Sequence, residues 1–283
     1  MIGMQLTIRP AAAAAAARSA SLPREHSHPA VARLDGGIRA LRSWSAAATA
    51  RFAGVDGDGL ALVEDVLAVL GELLGLPQAA AAIHRAGAGG GAACERALDG
   101  FLALADAYGT FESAVLALRQ SAAELRTGAR RGDGATVAAA LRAHRRTERE
   151  LCRLAAAMRH ASRRTPAAAA RTANDADGEV VGIVAEAAAV TAAASEAIFL
   201  RCAAMSRDVP ATVQTAASHK WLARLGVTRA AKKAASPEMA PAPALERLEE
   251  LEQCIGEMES GSEKVFRRLL QTRVSLLNIH NPL

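Results

Sequence analysis

At 283 residues, with 51% apolar and 22% charged residues, the chain is long enough for one large domain or two small ones and too apolar for a disordered polar tract. About a quarter of it is alanine and only 3% is aromatic, so its helices are expected to be long, closely packed and thinly cored. The net charge is +5, but eleven arginines against three acids between Arg126 and Arg164 make +8 there and leave the remainder net acidic, which points to an anionic partner or to pairing of a basic helix with an acidic one.

Residues 1–27 are basic, with Arg9, Arg18 and Arg24, a run of alanines from Ala11 to Ala17 and no acid before Glu25. That composition suits a disordered basic tail or an organelle transit peptide. Residues 28–208 read as a helical bundle. Pro29 opens a helix in which Val31, Leu34, Ile38 and Leu41 recur every three or four residues up to Trp44. Residues 54–59 are expected to form a loop; Asp56 and Asp58 resemble the start of a calcium loop, but Leu60 stands at the next ligand position and rules it out. Residues 60–74 form a second helix stopped by Gly75 and Pro77, followed by a short helical piece over 78–85. The glycine-rich linker at 87–91 lacks the lysine and serine of a phosphate loop.

Phe101, Ala105, Tyr108, Phe111, Val115, Leu118 and Leu125 define a long third helix, broken by the glycines of 128–134. The fourth spans 136–163. On its wheel Leu141, Leu151, Leu154 and Met158 gather on one side and Arg142, Arg145, Arg146, Arg149 and Arg153 on nearly the opposite one. After a linker at 166–177, a fifth helix runs from Glu179 to Met205 through Val180, Ile183, Val184, Val190, Ile198 and Phe199. It is apolar enough to be the central member of the bundle, and Pro210 is expected to end it.

Residues 209–243 are a basic linker rich in proline and alanine. Its Lys220, Arg224, Arg229, Lys232 and Lys233 surround Trp221, Leu222 and Leu225 with no acid among them, a composition suited to the headgroup region of an anionic membrane. Residues 244–283 are read as a C-terminal, coiled-coil-like helix packing on the bundle. Leu248, Leu251, Ile255, Met258, Val265, Leu269, Leu276 and Ile279 fall on one heptad seam, with Ser262 and Thr272 as its polar members. Glutamates fill the first half of this helix and arginines the second, which the helix dipole favours. Phe266, Leu270, Val274 and Leu277 lie off the seam, so this half is expected to be covered on more than one side.

The segment VFRRLLQTRVSLLNI, residues 265–279, resembles the C-terminal signature of the plant domain of unknown function 241 family, the BYPASS-like proteins. SLPREHSHP at 21–29, LRSW at 41–44, LLGLPQ at 73–78 and DAYGTFESAVLALRQ at 106–120 are similar to the same family, so the resemblance runs from about Ser21 to the end. It implies a role in root and shoot development and no known catalytic activity, with no catalytic residues to carry over.

The residues themselves offer little chemistry. No G-x-S-x-G elbow places a nucleophile. The histidines, His26, His28, His84, His144, His160, His219 and His280, stand singly and are expected to be solvated or capping residues rather than ligands. Cys94, Cys152, Cys202 and Cys254 lie about fifty residues apart without paired spacing, as reduced thiols of an intracellular protein do. No apolar run approaches the length of a membrane span.

The expectation is therefore an all-α, elongated antiparallel bundle of five or six helices, closed by a final helix that packs near 101–125 and 180–205. It has no cofactor, metal or small-molecule substrate and acts as a non-enzymatic interaction or scaffold protein. Its candidate anionic-contact residues are the arginine stripe Arg142–Arg153 and the cations from Lys220 to Lys233. The stripe's alternative is a solvated face, or one paired internally with the glutamates of 246–259. An unidentified protein partner, a peripheral membrane contact and a second copy of the chain remain open, and nucleic acid is the rival partner, though no aromatics interleave the cations. Expected locations are the cytoplasm or a membrane periphery, or a plastid or mitochondrion if the N-terminus is a transit peptide.

Overall fold

The structure is a computed structural model that describes residues 29–50, 58–88, 92–164, 176–224 and 242–281, with side chains described throughout except at 207–224, 242–248 and a few helix ends. Every element among these residues is an α-helix: α1 (Pro29–Ala50), α2 (Asp58–Leu74), α3 (Pro77–Ala88), α4 (Ala92–Arg131), α5 (Gly134–Arg164), α6 (Ala176–Arg224) and α7 (Ala242–His280). Among the described residues there are seven helices, and the short piece after Pro77 is a helix of its own, turned by 85° from α2. A proline at a helix start costs no hydrogen bond and sets its φ, and Pro29 and Pro77 open α1 and α3 in that way.

The longest break-free stretches are longer than the glycines alone predict. α4 continues through Gly128, and the chain turns only at Gly132, whose φ of 70° lies in the left-handed region that glycine tolerates. α6 continues past Pro210, where the sequence is expected to end it, as far as Arg224. A proline inside a helix withdraws the N–H that would bond the carbonyl four residues earlier. Here that carbonyl is Ser206.

α6 is the axis of the bundle, touching α5, α1, α4 and α3 closely and α2 and α7 more lightly. Its alanines Ala187, Ala188, Ala192 and Ala194 are almost fully buried, and their small side chains let several neighbours approach one helix at once. The aromatic residues gather where α4 meets α6. Phe111 stacks on Phe199 with centroids 4.6 Å apart, and Tyr108 meets the edge of Phe199 at 5.5 Å. The Tyr108 hydroxyl lies 3.2 Å from Ser195 Oγ, and burial pushes its phenol pKa up.

α7 rests on α4 and α2 rather than on α4 and α6. The faces of α6 are already taken by α5 and α1, and α2 offers the fit instead: a Cβ added at Gly261 would come within 2.9 Å of Leu60 Cδ1. Leu251, Ile255, Met258, Ser262, Val265, Leu269, Thr272 and Leu276 are all buried and repeat with alternating steps of four and three. Ile279 is half-buried, and the side chain of Leu248 lies outside the described residues.

Two helical segments, Cys94–Arg131 and Gly178–Ser206, are long and apolar enough to cross a membrane by length and composition, which corrects the reading that no such run exists. Alanine explains the difference, since it lowers polarity without forming a conspicuous leucine-rich run. In this fold 83% of the apolar window in Gly178–Ser206 is buried inside the protein, so its composition is already accounted for by the core.

Candidate functional site

Asp133 starts α5. Its carboxylate accepts from the Ala135 and Thr136 amides at 3.0 and 3.2 Å and from the Thr136 hydroxyl, an N-cap that satisfies amides the helix leaves free. Those bonds hold the Asp133 carboxyl below its ordinary pKa. Downstream, Ala140, Leu141, His144, Thr147, Leu151, Leu154, Ala155 and Met158 turn inward, and α5 packs through this side on α4 and α6. The side left to solvent carries Arg142, Arg145, Arg146, Arg149 and Arg153, all exposed. At 1.5 Å per residue they form a strip roughly 16 Å long.

Among the described residues, Glu148 and Glu150 are the acids that share this helix with the strip. Arg153 pairs with Glu150 one turn away at 3.0 Å, and Arg149 Nε donates to the Arg145 carbonyl. Nearer the end of α5, Arg159 reaches Glu196 of α6 at 2.6 Å. Three glutamates of α7, Glu249, Glu252 and Glu259, are engaged with α4 instead. Arg119 pairs with Glu259 at 2.7 Å, Arg126 with Glu252 at 2.8 Å and Arg130 with Glu249 at 3.4 Å. As residue numbers rise along α4 they fall along α7, so this is an antiparallel ladder along the α4–α7 seam.

The second basic segment cannot be joined to the strip. Lys220 and Arg224 lie in the helical backbone of α6 with side chains outside the described residues, and Arg229, Lys232 and Lys233 fall outside them entirely.

The structure also holds a polar contact that no sequence pattern signals. Ser121 Oγ lies 3.0 Å from His144 Nδ1 and donates to the Leu118 carbonyl at 3.0 Å. His144 is 1% exposed, not solvated or capping. Its Nε2 has no partner of hydrogen-bond geometry, although the Ser206 carbonyl is near enough to favour the protonated ring. Burial outweighs that carbonyl and the nearby Glu148 and lowers the His144 pKa. A serine beside a histidine resembles a nucleophile and its base, but Ser121 at 2% exposure is as enclosed as His144, so no substrate reaches the pair. The reason sequence misses it is that the residues sit on different helices, 23 positions apart.

Other histidines do have specific places: His84 Nδ1 lies 3.2 Å from the Ile279 carbonyl, and His280 packs near Gly87, so α3 is held to the end of α7. His160 is exposed, His26 and His28 lie outside the described residues, and the side chain of His219 does too. Cys94 and Cys202 are buried, and burial raises both thiols, that of Cys202 to about 12. Among the described residues no three histidines, cysteines or carboxylates gather as a metal site.

The family described as Protein BPS1 matches residues 59–279. The chain belongs to this family, the BYPASS family of plant proteins, whose domain is of unknown function. No curated protein and no solved structure matches the chain. The BPS1 match takes in α2 through α7 almost to their ends and leaves α1 outside, so the similar pieces at 21–29 and 41–44 precede the matched range. Within it, the BPS1-like segments 106–120 and 265–279 lie against each other, with the Phe266 ring over Gly109.

Proposed function

We propose that this BPS1-family chain is a non-enzymatic helical interaction protein of plant root and shoot development, and that it meets an anionic surface, protein or membrane, through the arginine face of α5. One observation supports this reading: five arginines stand exposed on one helix face, and three glutamates of the acidic helix α7 are paired with α4 rather than with them. Five exposed cations on one helix face outnumber the neighbouring Glu148 and Glu150, which raises the local potential and favours an anionic partner. The cations from Lys220 to Lys233 join the proposal on composition alone. The scaffold part of the proposal uses the same surface, since α5 packs on α4 and α6 and leaves its arginine side exposed.

The test is charge reversal at Arg142, Arg145 and Arg149 together, with thermal unfolding as a control for folding. Binding is measured to phosphatidylserine vesicles, to an acidic peptide and to duplex DNA across a salt series. Loss of vesicle or peptide binding with unchanged unfolding supports the proposal. Binding that survives the reversal overturns it, and a steep salt-dependent affinity for DNA alone would replace it with the nucleic-acid reading.

A further inference from the structure

The outward side of α7 changes character half-way along. In the first half it presents Glu249, Gln253, Glu257 and Ser260, all exposed and polar. In the second it presents Leu270, 41% exposed, Val274, 56%, and Leu277, 40%, in one row with the half-buried Phe266. The sequence expectation that this half is covered on a further side is therefore not met. Exposed apolar residues in a contiguous row mark a contact surface more often than isolated ones do.

Phe266 and Leu270 of this row, with Arg273, form one wall of an open groove of about 480 Å³, whose other wall is the edge of α4 at Ala105, Asp106, Gly109 and Ser113; Val274 and Leu277 continue the row beyond it. The hydroxyls of Thr110 and Ser113 are bound to carbonyls of their own helix, so they place no free donor across the groove. An extended peptide laid there would meet Asp106 and Arg273 as the charged lining and leave its remaining backbone groups unpaired along Phe266 and Leu270, whereas a helix satisfies its own.

Charge narrows the occupant further. From Lys264 to His280, α7 carries Lys264, Arg267, Arg268 and Arg273 and no acid, while the outer edge of α4 carries exposed Asp99 and Asp106. An anionic bilayer would press its headgroups on those two aspartates. Arg267 is paired with Glu263 at 2.6 Å, but Arg273 lines the groove, and a second copy of α7 would bring its own Arg273 against that one. We propose that this groove docks an amphipathic helix of a partner protein, with large apolar residues at i, i+4 and i+7 facing the row and acidic residues along the edge over α7. This surface is separate from the arginine face of α5, since α4 lies between them, and the two proposals stand or fall independently.

The experiment places the photoreactive residue p-benzoylphenylalanine at Val274 of the full chain in plant cells, maps the cross-linked peptide, and measures that peptide, synthesised, against the purified full chain. The expected product is a helical segment of another protein with an acidic edge, whose affinity falls about tenfold or more with Leu270→Asp and is unchanged by reversal of Arg142, Arg145 and Arg149. Cross-links to a second copy, to lipid or to the chain's own N-terminal residues overturn the proposal, as does the absence of any product. A mapped peptide that binds Leu270→Asp as well as the unchanged chain overturns it too.

Discussion

Ser121 Oγ and His144 Nδ1 meet 3.0 Å apart in the core, close to the Ser206 carbonyl that Pro210 leaves without its helical donor. Burial disfavours the charged ring by more than the Ser206 carbonyl and Glu148 favour it. Because burial lowers the His144 pKa from its ordinary 6.5, the unfolded chain binds a proton that the folded chain refuses as pH falls below about 6.5, and stability falls with it. A single refused proton accounts for at most about 1.4 kcal/mol per pH unit. Urea unfolding followed by circular dichroism at pH 7.5 and 5.0 should show this loss, and His144→Leu should flatten it while Ser121 keeps its bond to the Leu118 carbonyl. An equal loss in the variant would show that the pH dependence comes from elsewhere.

Glu112 is expected to act in the opposite sense. Its Oε1 is buried without a partner, and burial first, then the neighbouring Glu263, raises its pKa. A raised carboxyl pKa gives stability that is present in acid and lost as pH rises through the folded value. Glu112→Gln should therefore raise the melting temperature at pH 7.5, with the gain shrinking toward pH 4.5. An unchanged or lower melting temperature at pH 7.5 would contradict this.

The ladder between α4 and α7 is not uniform. Arg126 and Glu252 are 33% and 23% exposed, whereas Arg130 and Glu249 are 56% and 55% exposed and farther apart. Solvent screening reduces exposed pairs to less than about 0.5 kcal/mol, and a half-buried pair retains about 1 kcal/mol. Double-mutant cycles to alanine should rank Arg126–Glu252 above Arg119–Glu259 and Arg130–Glu249. Arg126→Ala alone should be the costliest single change, since it strips Glu252, whose Oε1 is already unpartnered. Equal coupling at all three rungs would refute the ranking.

Gly59 allows α1 and α2 to touch. A Cβ there would come 2.3 Å from Trp44 Cζ2 and 2.4 Å from Cη2, an overlap that rigid rings do not absorb easily. Alanine gains less than the helix-interior value of about 1 kcal/mol over glycine at the second residue of α2, and overpacking costs typically about 1–3 kcal/mol. Gly59→Ala should therefore destabilise in chemical unfolding, and Trp44→Ala in the same chain should recover the helical gain. A stabilised Gly59→Ala would show that Trp44 swings aside freely.

By itself the sequence determined that the chain is helical, that residues 251–276 bury one side, and that α2 stops at Gly75 and Pro77, because these follow from the local period of apolar residues and from glycine and proline chemistry. It also carried the family resemblance and the arginine side of α5, since a helical wheel needs no partner to be drawn. What the tertiary structure decided is which sides meet. Three glutamates of α7 pair with α4 rather than with α5, α7 lies on α2 rather than on α6, and His144 is enclosed rather than solvated. It also decided that Leu270, Val274 and Leu277 stand uncovered while equally apolar residues on the seam are buried. Periodicity assigns each helix a face, but burial and charge pairing depend on residues more than a hundred positions away, and those distances are set only when the helices pack.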